Sequence, residues 1–251
     1  MFVILKHMKI LVTGHKGFLG GAFIKEYSNQ YDIVGYDLIE GDELMDFQNL
    51  VSKIKGCEMV VHLAAIPKPI EGKSFEDYFT NNVRATQNVA KAAAQNKVKR
   101  IVYASSTSIY GIEKGIPFAT PIVESQPFVS QYLSASQLSC REVDLSYHVS
   151  KVQAEQIMAW YGLNKIVETA ALRFGPINKV FLGTSVSLSN AAQAIQKSLD
   201  YSGQLWYEPF SIVDDVPHID TSKAKRILGY TPKQPRYTEA QLHSAFDERT
   251  K

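Results

Sequence analysis

The sequence predicts an α/β fold built on a doubly wound parallel sheet. Three observations carry that expectation. Short β-branched apolar runs alternate with helical segments, the first run ends in a glycine-rich turn that opens a helix, and the second ends on an acid. Continuous apolar runs suit strands covered on both faces. Strands that alternate with helices join by right-handed crossovers, which puts helices on both sides of one sheet.

Taken in order, "KILVT" (9–13) is the first strand, begun by Met8 and ended by Gly14. The apolar residues before it are interrupted by Lys6 and His7, lack a small-residue cleavage site and are too short to span a bilayer. They read as an extension of the strand or an upstream start. A helix over 18–29 and a strand over 31–37 follow. Residues 47–56 form the next helix, with Gly56 as its stop signal. "EMVVHLAA" (58–65) is a strand. Residues 74–96 form one long helix, capped by Ser74 with Asp77 three residues on. A strand over 99–106, a helix over 146–162 closed by Gly162 and a strand over 165–174 complete the regular alternation. After Gly175 the pattern loosens into a helix (187–199), a strand (204–213) and a helix (220–230). That last helix is capped at Asp220 or Thr221 and stopped by Gly229 and Pro232. Residues 112–146 have no clear period and carry Pro117, Pro121 and Pro127. A stretch that long reads as a lid or an insertion with its own short helix.

Composition narrows the function. The chain has 251 residues, 45% apolar and 21% charged, with a net charge of +2. That is ordinary for a globular protein and gives no strong pull toward nucleic acid or membrane. The two cysteines, Cys57 and Cys140, lack metal spacing and fit a reducing cytoplasm. The six histidines are scattered, so no metal site is expected.

The first strand runs into "TGHKGFLG" (13–20), with glycines at 14, 17 and 20. Glycines let backbone turn tightly against a pyrophosphate, and the helix opened by Phe18 and Leu19 adds free N–H groups and a positive dipole end. Asp37 closes the second strand, a little over twenty residues after the first glycine. A carboxylate there accepts hydrogen bonds from the ribose hydroxyls of NAD and repels the 2′-phosphate of NADP. Lys16 inside the loop works the other way; NAD is favoured. In "YHVSK" (147–151), Tyr147 and Lys151 share a helix face. A tyrosine normally loses its proton near pH ~10. A neighbouring cation lowers that value and suits the phenol to proton exchange near neutrality.

Together these stretches resemble the extended short-chain dehydrogenase/reductases, the NAD-dependent epimerase/dehydratase family. The matching segments are "TGHKGFLG", "HLAA" (62–65), "NNVRATQNVAKAA" (81–93), "RIVYASSTSIYG" (100–111), "YHVSK" and "DTSKAKRILGYTPK" (220–233), in family order. The resemblance implies a Rossmann domain over 1–174, including the 112–146 insertion, and a reduced substrate-binding portion over 175–251. It implies Ser106, Tyr147 and Lys151 as catalytic residues, with Lys151 also anchoring the nicotinamide ribose. Gly14, Gly17 and Gly20 would hold the pyrophosphate. Asp46 and Phe47, after a short third strand, would flank the adenine. Leu63, Ala64 and Ala65 would line the cofactor, and Asn81, beside Asn82, would orient the nicotinamide side. Helices 74–96 and 147–162 would be neighbours able to form a homodimer interface.

The chain also departs from the family. Thr107 and Ser108 stand where sugar dehydratases place acids, and no cysteine neighbours Ser106. Only 46 residues separate Arg173 from Asp220, and residues 174–225 contain no Arg to grip a diphosphate. Three readings stay open. One is a nucleotide-sugar 4-epimerase or reductase with Arg141 as phosphate clamp. Another is a compact enzyme, similar in layout to uronate dehydrogenases, acting on a free sugar or sugar acid. The third is a cofactor-binding regulatory protein without turnover.

Overall fold

The structure, a computed structural model of the chain, describes residues 7–111, 120–131, 141–178 and 184–233. Six strands pair in parallel: β1 (Met8–Thr13), β2 (Tyr31–Tyr36), β3 (Met59–His62), β4 (Arg100–Ser106), β5 (Glu168–Phe174) and β6 (Glu208–Ile212). Their order in the sheet is β2-β1-β3-β4-β5-β6. The chain leaves β1 toward one edge and then crosses back past it to β3. The carboxyl ends of β1 and β3 therefore frame a crevice, the usual ligand position in an open parallel sheet.

The two-residue period of the strands sorts apolar side chains onto two faces. Ile10 and Val12 meet Phe23 of α1 (Phe18–Tyr27), Ile195 of α6 (Leu188–Asp200) and Leu228 of α7 (Ser222–Leu228). Leu11, between them, points the other way. It joins Leu50 of α2 (Phe47–Ile54), Val89 of α4 (Ala85–Gln95) and Met158 of α5 (Glu142–Leu163). Each such fully buried side chain contributes about 1.5–3 kcal/mol.

The long helix expected over 74–96 is present but not uniform. Ser74 and Asp77 form the capping box, and α3 (Phe75–Tyr78) passes through a π-helical turn at Phe79–Arg84 into α4. Asn82 sits in that turn and is held from outside: its side chain bonds both Ile66 N and O and the hydroxyl of Ser150 on α5. Helix α5 begins at Glu142, four residues earlier than the sequence suggested, with Glu142 and Asp144 in its first turn. Acids there favour a helix start.

One implied element is corrected. Ahead of Asp46 the chain forms no strand but a 3-10 turn, Leu38–Glu40. Asp37 caps that turn by accepting from Ile39 N (3.0 Å), and Gly41 ends it with φ 82°.

Of the 112–146 stretch, residues 120–131 are described apart from the start of α5. Ile122 pairs with Ile219, and buried Val129 packs into the same small core. The rest of that stretch up to residue 140, with Cys140, and the first six residues lie outside the described residues. Cys57 is buried and free.

Candidate active site

The crevice is a cleft of about 1450 Å³ at the carboxyl edge of the sheet. At one end Gly14 takes φ +70°, and its N–H donates to Tyr36 O (2.9 Å) across the β1–β2 crossover. A Cβ on Gly14 would lie 2.8 Å from Ala64 N, and one on Gly20 would lie 2.3 Å from Gly14 O. Backbone packs so closely here that only glycine fits. Helix α1 starts with no side-chain cap and no acid in its first turn, so its leading N–H groups remain available to an anion. The shape and donors fit a pyrophosphate, and Asp37, 8% exposed, faces the same cleft.

Of the residues singled out from sequence, Gly14, Gly17, Phe18, Leu19, Gly20, Asp37, Leu63, Ala64, Ala65, Asn81, Ser106, Tyr147 and Lys151 all line this one cleft. Three do not. The Asp46 carboxylate caps α2 through Asn49 N (3.0 Å), and the Phe47 ring lies under the ammonium of Lys91 (4.8 Å). Lys16 turns its ammonium to Glu40 (2.9 Å). The wall near Asp46 is instead supplied by Leu44 and Met45, carried there by the 3-10 turn and the bends after it.

At the other end, α5 presents Tyr147 and Lys151 one turn apart, and β4 ends at Ser106. The Ser106 hydroxyl accepts from Ser108 N (3.1 Å), so its own proton is available to a substrate oxygen. Tyr147 is 5% exposed and packs edge-on against Tyr78, at 6.1 Å between ring centres. Lys151 donates to Ala104 O (2.7 Å) and lies 5.0 Å above the Tyr103 ring. Burial pulls its pKa down to about 8, against the opposing charge of Glu155.

Beneath the cleft floor, Thr13 Oγ1 and His62 Nδ1 are 2.8 Å apart, and His62 Nε2 lies 3.0 Å from Thr86 Oγ1. Thr13 Oγ1 also accepts from Leu63 N and Ala64 N, which fixes the cofactor-side turn. The Thr86 hydroxyl donates to Asn82 O. Burial, reinforced by Lys151, holds the His62 pKa down to about 3, so the ring is a neutral linker.

Sequence reasoning missed a second layer. Glu155, one turn beyond Lys151, accepts from Ser105 Oγ, Tyr207 OH (2.9 Å) and Arg173 Nη2 (2.6 Å). Arg173 also reaches Tyr110 OH (2.6 Å) and Glu124 O (2.8 Å). The i+4 step from Lys151 was the available signal. Asp144 and His148 also line the cleft beside Tyr147. Arg141 lines it too, but its guanidinium is engaged by Asp144 (2.9 Å) and Glu71 (3.4 Å).

A parallel sheet, a glycine cradle and a Ser/Tyr/Lys set at one cleft define a site of the dinucleotide-binding type. Residues 10–177 match the NAD dependent epimerase/dehydratase family, and the chain belongs to that family. It is 28% identical over 194 residues to an uncharacterized UDP-glucose epimerase, YtcB, of Bacillus subtilis, covering 66% of this chain and 56% of that one. The chain thus spans little more than half of that relative's length. Among solved structures, MoeE5 in complex with UDP-glucuronic acid and NAD superposes with a TM-score of 0.74 at 21% identity, over 96% of this chain and 99% of MoeE5. A mutated uronate dehydrogenase superposes with a TM-score of 0.70 at 18% identity, over 96% and 86% of the two chains.

Proposed function

We propose that the protein is an NAD-dependent oxidoreductase or epimerase acting on a hydroxyl-bearing carbon of a nucleotide sugar. The observation that carries this reading is the meeting of Ser106, Tyr147 and Lys151 with the glycine cradle and Asp37 in one cleft. Gly14, Gly17, Gly20 and Asp37 would hold NAD, with Leu63 to Ala65 along its length and Asn81 near the nicotinamide. Bound nicotinamide supplies an acceptor and donor for the hydrogen on the sugar carbon. The chain supplies the rest. Tyr147 as phenolate takes the hydroxyl proton, Ser106 donates a hydrogen bond to the same oxygen, and Lys151 favours the phenolate by its charge. In a 4-epimerase or reductase cycle Tyr147 returns the proton. Replacing Tyr147 with Phe should remove turnover while leaving NAD affinity within a few-fold; unchanged turnover would refute the mechanism.

A second reading keeps the chemistry and shrinks the substrate. None of the described residues 184–233 lines the cleft, so this segment adds no wall for a nucleotide. That supports a free sugar or sugar acid, as for a uronate dehydrogenase. Thermal-shift titration with UDP-sugars against free uronates and aldoses, NAD present, separates the two. Stabilisation by UDP alone favours the nucleotide sugar.

We also infer a homodimer. On α5, Trp160 is 57% and Leu163 69% exposed, and Leu145 and Val149, four residues apart, are half-buried. A monomer by light scattering at micromolar concentration would refute this. No helix among the described residues is long and apolar enough to cross a membrane.

A further inference from the structure

Lys16 lies inside the glycine loop, where a free ammonium would welcome a 2′-phosphate. The structure shows what holds it back. The Lys16 backbone N–H donates to Asp37 Oδ2 (2.9 Å), which places Lys16 beside the carboxylate that faces the cleft. Its ammonium lies 2.9 Å from Glu40 Oε1, and the other oxygen of Glu40 lies 3.3 Å from His15 Nε2. The His15 ring is itself fixed. It lies over Gly35 of β2, where a Cβ would come within 2.6 Å of the ring. The 3-10 turn carries Glu40 back toward the loop, three residues after Asp37. Lys53 is likewise tied, to Asp42 (3.4 Å).

We propose that Glu40 is a cofactor-specificity residue: it occupies the ammonium of Lys16 and sets a second negative charge beyond Asp37, so that NAD is taken and NADP refused. Asp37 alone would repel the phosphate but leave Lys16 to attract it. With Glu40 in place, the cation nearest that position is already paired. The pairing shows in both partners: the Glu40 carboxyl is held below its ordinary value, and the Lys16 ammonium above its own, each mainly by their mutual hydrogen bond. The inference rests on the adenosine ribose lying at Asp37.

The test is direct titration of the full chain with NAD and with NADP, followed by calorimetry, for the wild type, Glu40→Gln, Asp37→Asn and Lys16→Met/Glu40→Gln. Glu40→Gln should raise NADP affinity relative to NAD by roughly tenfold, since it removes one repelling charge and frees a cation for a charge-assisted bond. The gain should shrink as salt is raised. Beside Lys16→Met it should fall to roughly threefold or less, because only the repulsion is then relieved. If Asp37→Asn raises NADP affinity and Glu40→Gln does not, the role of Glu40 is overturned and the ribose placement stands. If neither moves the ratio, the placement itself falls. A full gain that persists without Lys16 also overturns the inference.

Discussion

Acid should destabilise this protein through His62 in particular. The ring is 1% exposed, lies between two threonine hydroxyls, and has its pKa held down to about 3 by burial and by Lys151. In the unfolded chain the same group titrates near ~6.5. A depressed folded value means the folded state binds fewer protons, so this stability is present above the unfolded pKa and is lost as pH falls toward the folded one. Between pH 7 and pH 5 the unfolded chain takes up most of a proton that the folded chain refuses. The loss is about 2 kcal/mol, set almost wholly by the unfolded value because the folded one lies well below the window. The assay is urea unfolding at pH 7 and pH 5 for the wild type and for His62→Gln, which keeps a polar link but cannot titrate. The variant should start less stable and lose about 2 kcal/mol less than the wild type over the same interval. Equal losses in the two proteins would refute the account of a buried neutral imidazole.

Three further outcomes follow from the geometry. Gly20→Ala should lower NAD affinity by about tenfold or more, because its Cβ must push Gly14 O and His15 Cα aside, whereas neighbouring Gly21→Ala, with open space around it, should stabilise α1 by about 0.5–1 kcal/mol. Calorimetry and thermal melts check both. Glu155→Gln should cost about 3–5 kcal/mol in denaturant unfolding by leaving Arg173 buried without its charge partner, and adding Arg173→Met should recover part of that loss. Lys151 works in the alkaline range. Its depressed pKa means that burying its charge costs stability below about pH 8, and that cost is relieved as pH rises toward the unfolded value. Lys151→Met should therefore flatten the stability profile between pH 8 and the unfolded lysine range near ~10.4. A wild-type profile with the same slope as the variant would count against it.

Much of the scaffold was legible because its signals are local. Apolar runs such as "KILVT" and "RIVYASS" need only their own composition to read as covered strands, and the Gly14-Gly17-Gly20 spacing states its turn outright. The placing of Tyr147 and Lys151 together at the cleft was legible, since a four-residue step has one meaning on a helix. What escaped depended on distant partners. The π turn forms because Asn82 is gripped by Ile66 and by Ser150, 68 residues away in sequence. After the 3-10 turn that follows Asp37, the cleft wall is Leu44 and Met45 and not Asp46 and Phe47, and no composition rule announces that shift. The Glu155–Arg173 pair joins residues 18 positions apart on a helix and a strand, visible only once both are folded.

The π turn also sets a phase. A regular helix advances roughly 100° per residue, and a wide turn accommodates one residue more than regularity allows. Everything from Phe75 to Tyr78 is thereby rotated relative to Ala85 onward. Tyr78 can then brace Tyr147, while Val89 and Ala93 seat against the sheet, from one continuous rod. Forcing these same residues into a regular helix would swing either the brace or the sheet-facing row about a quarter-turn out of place, so here the less regular backbone is the one that serves both neighbours.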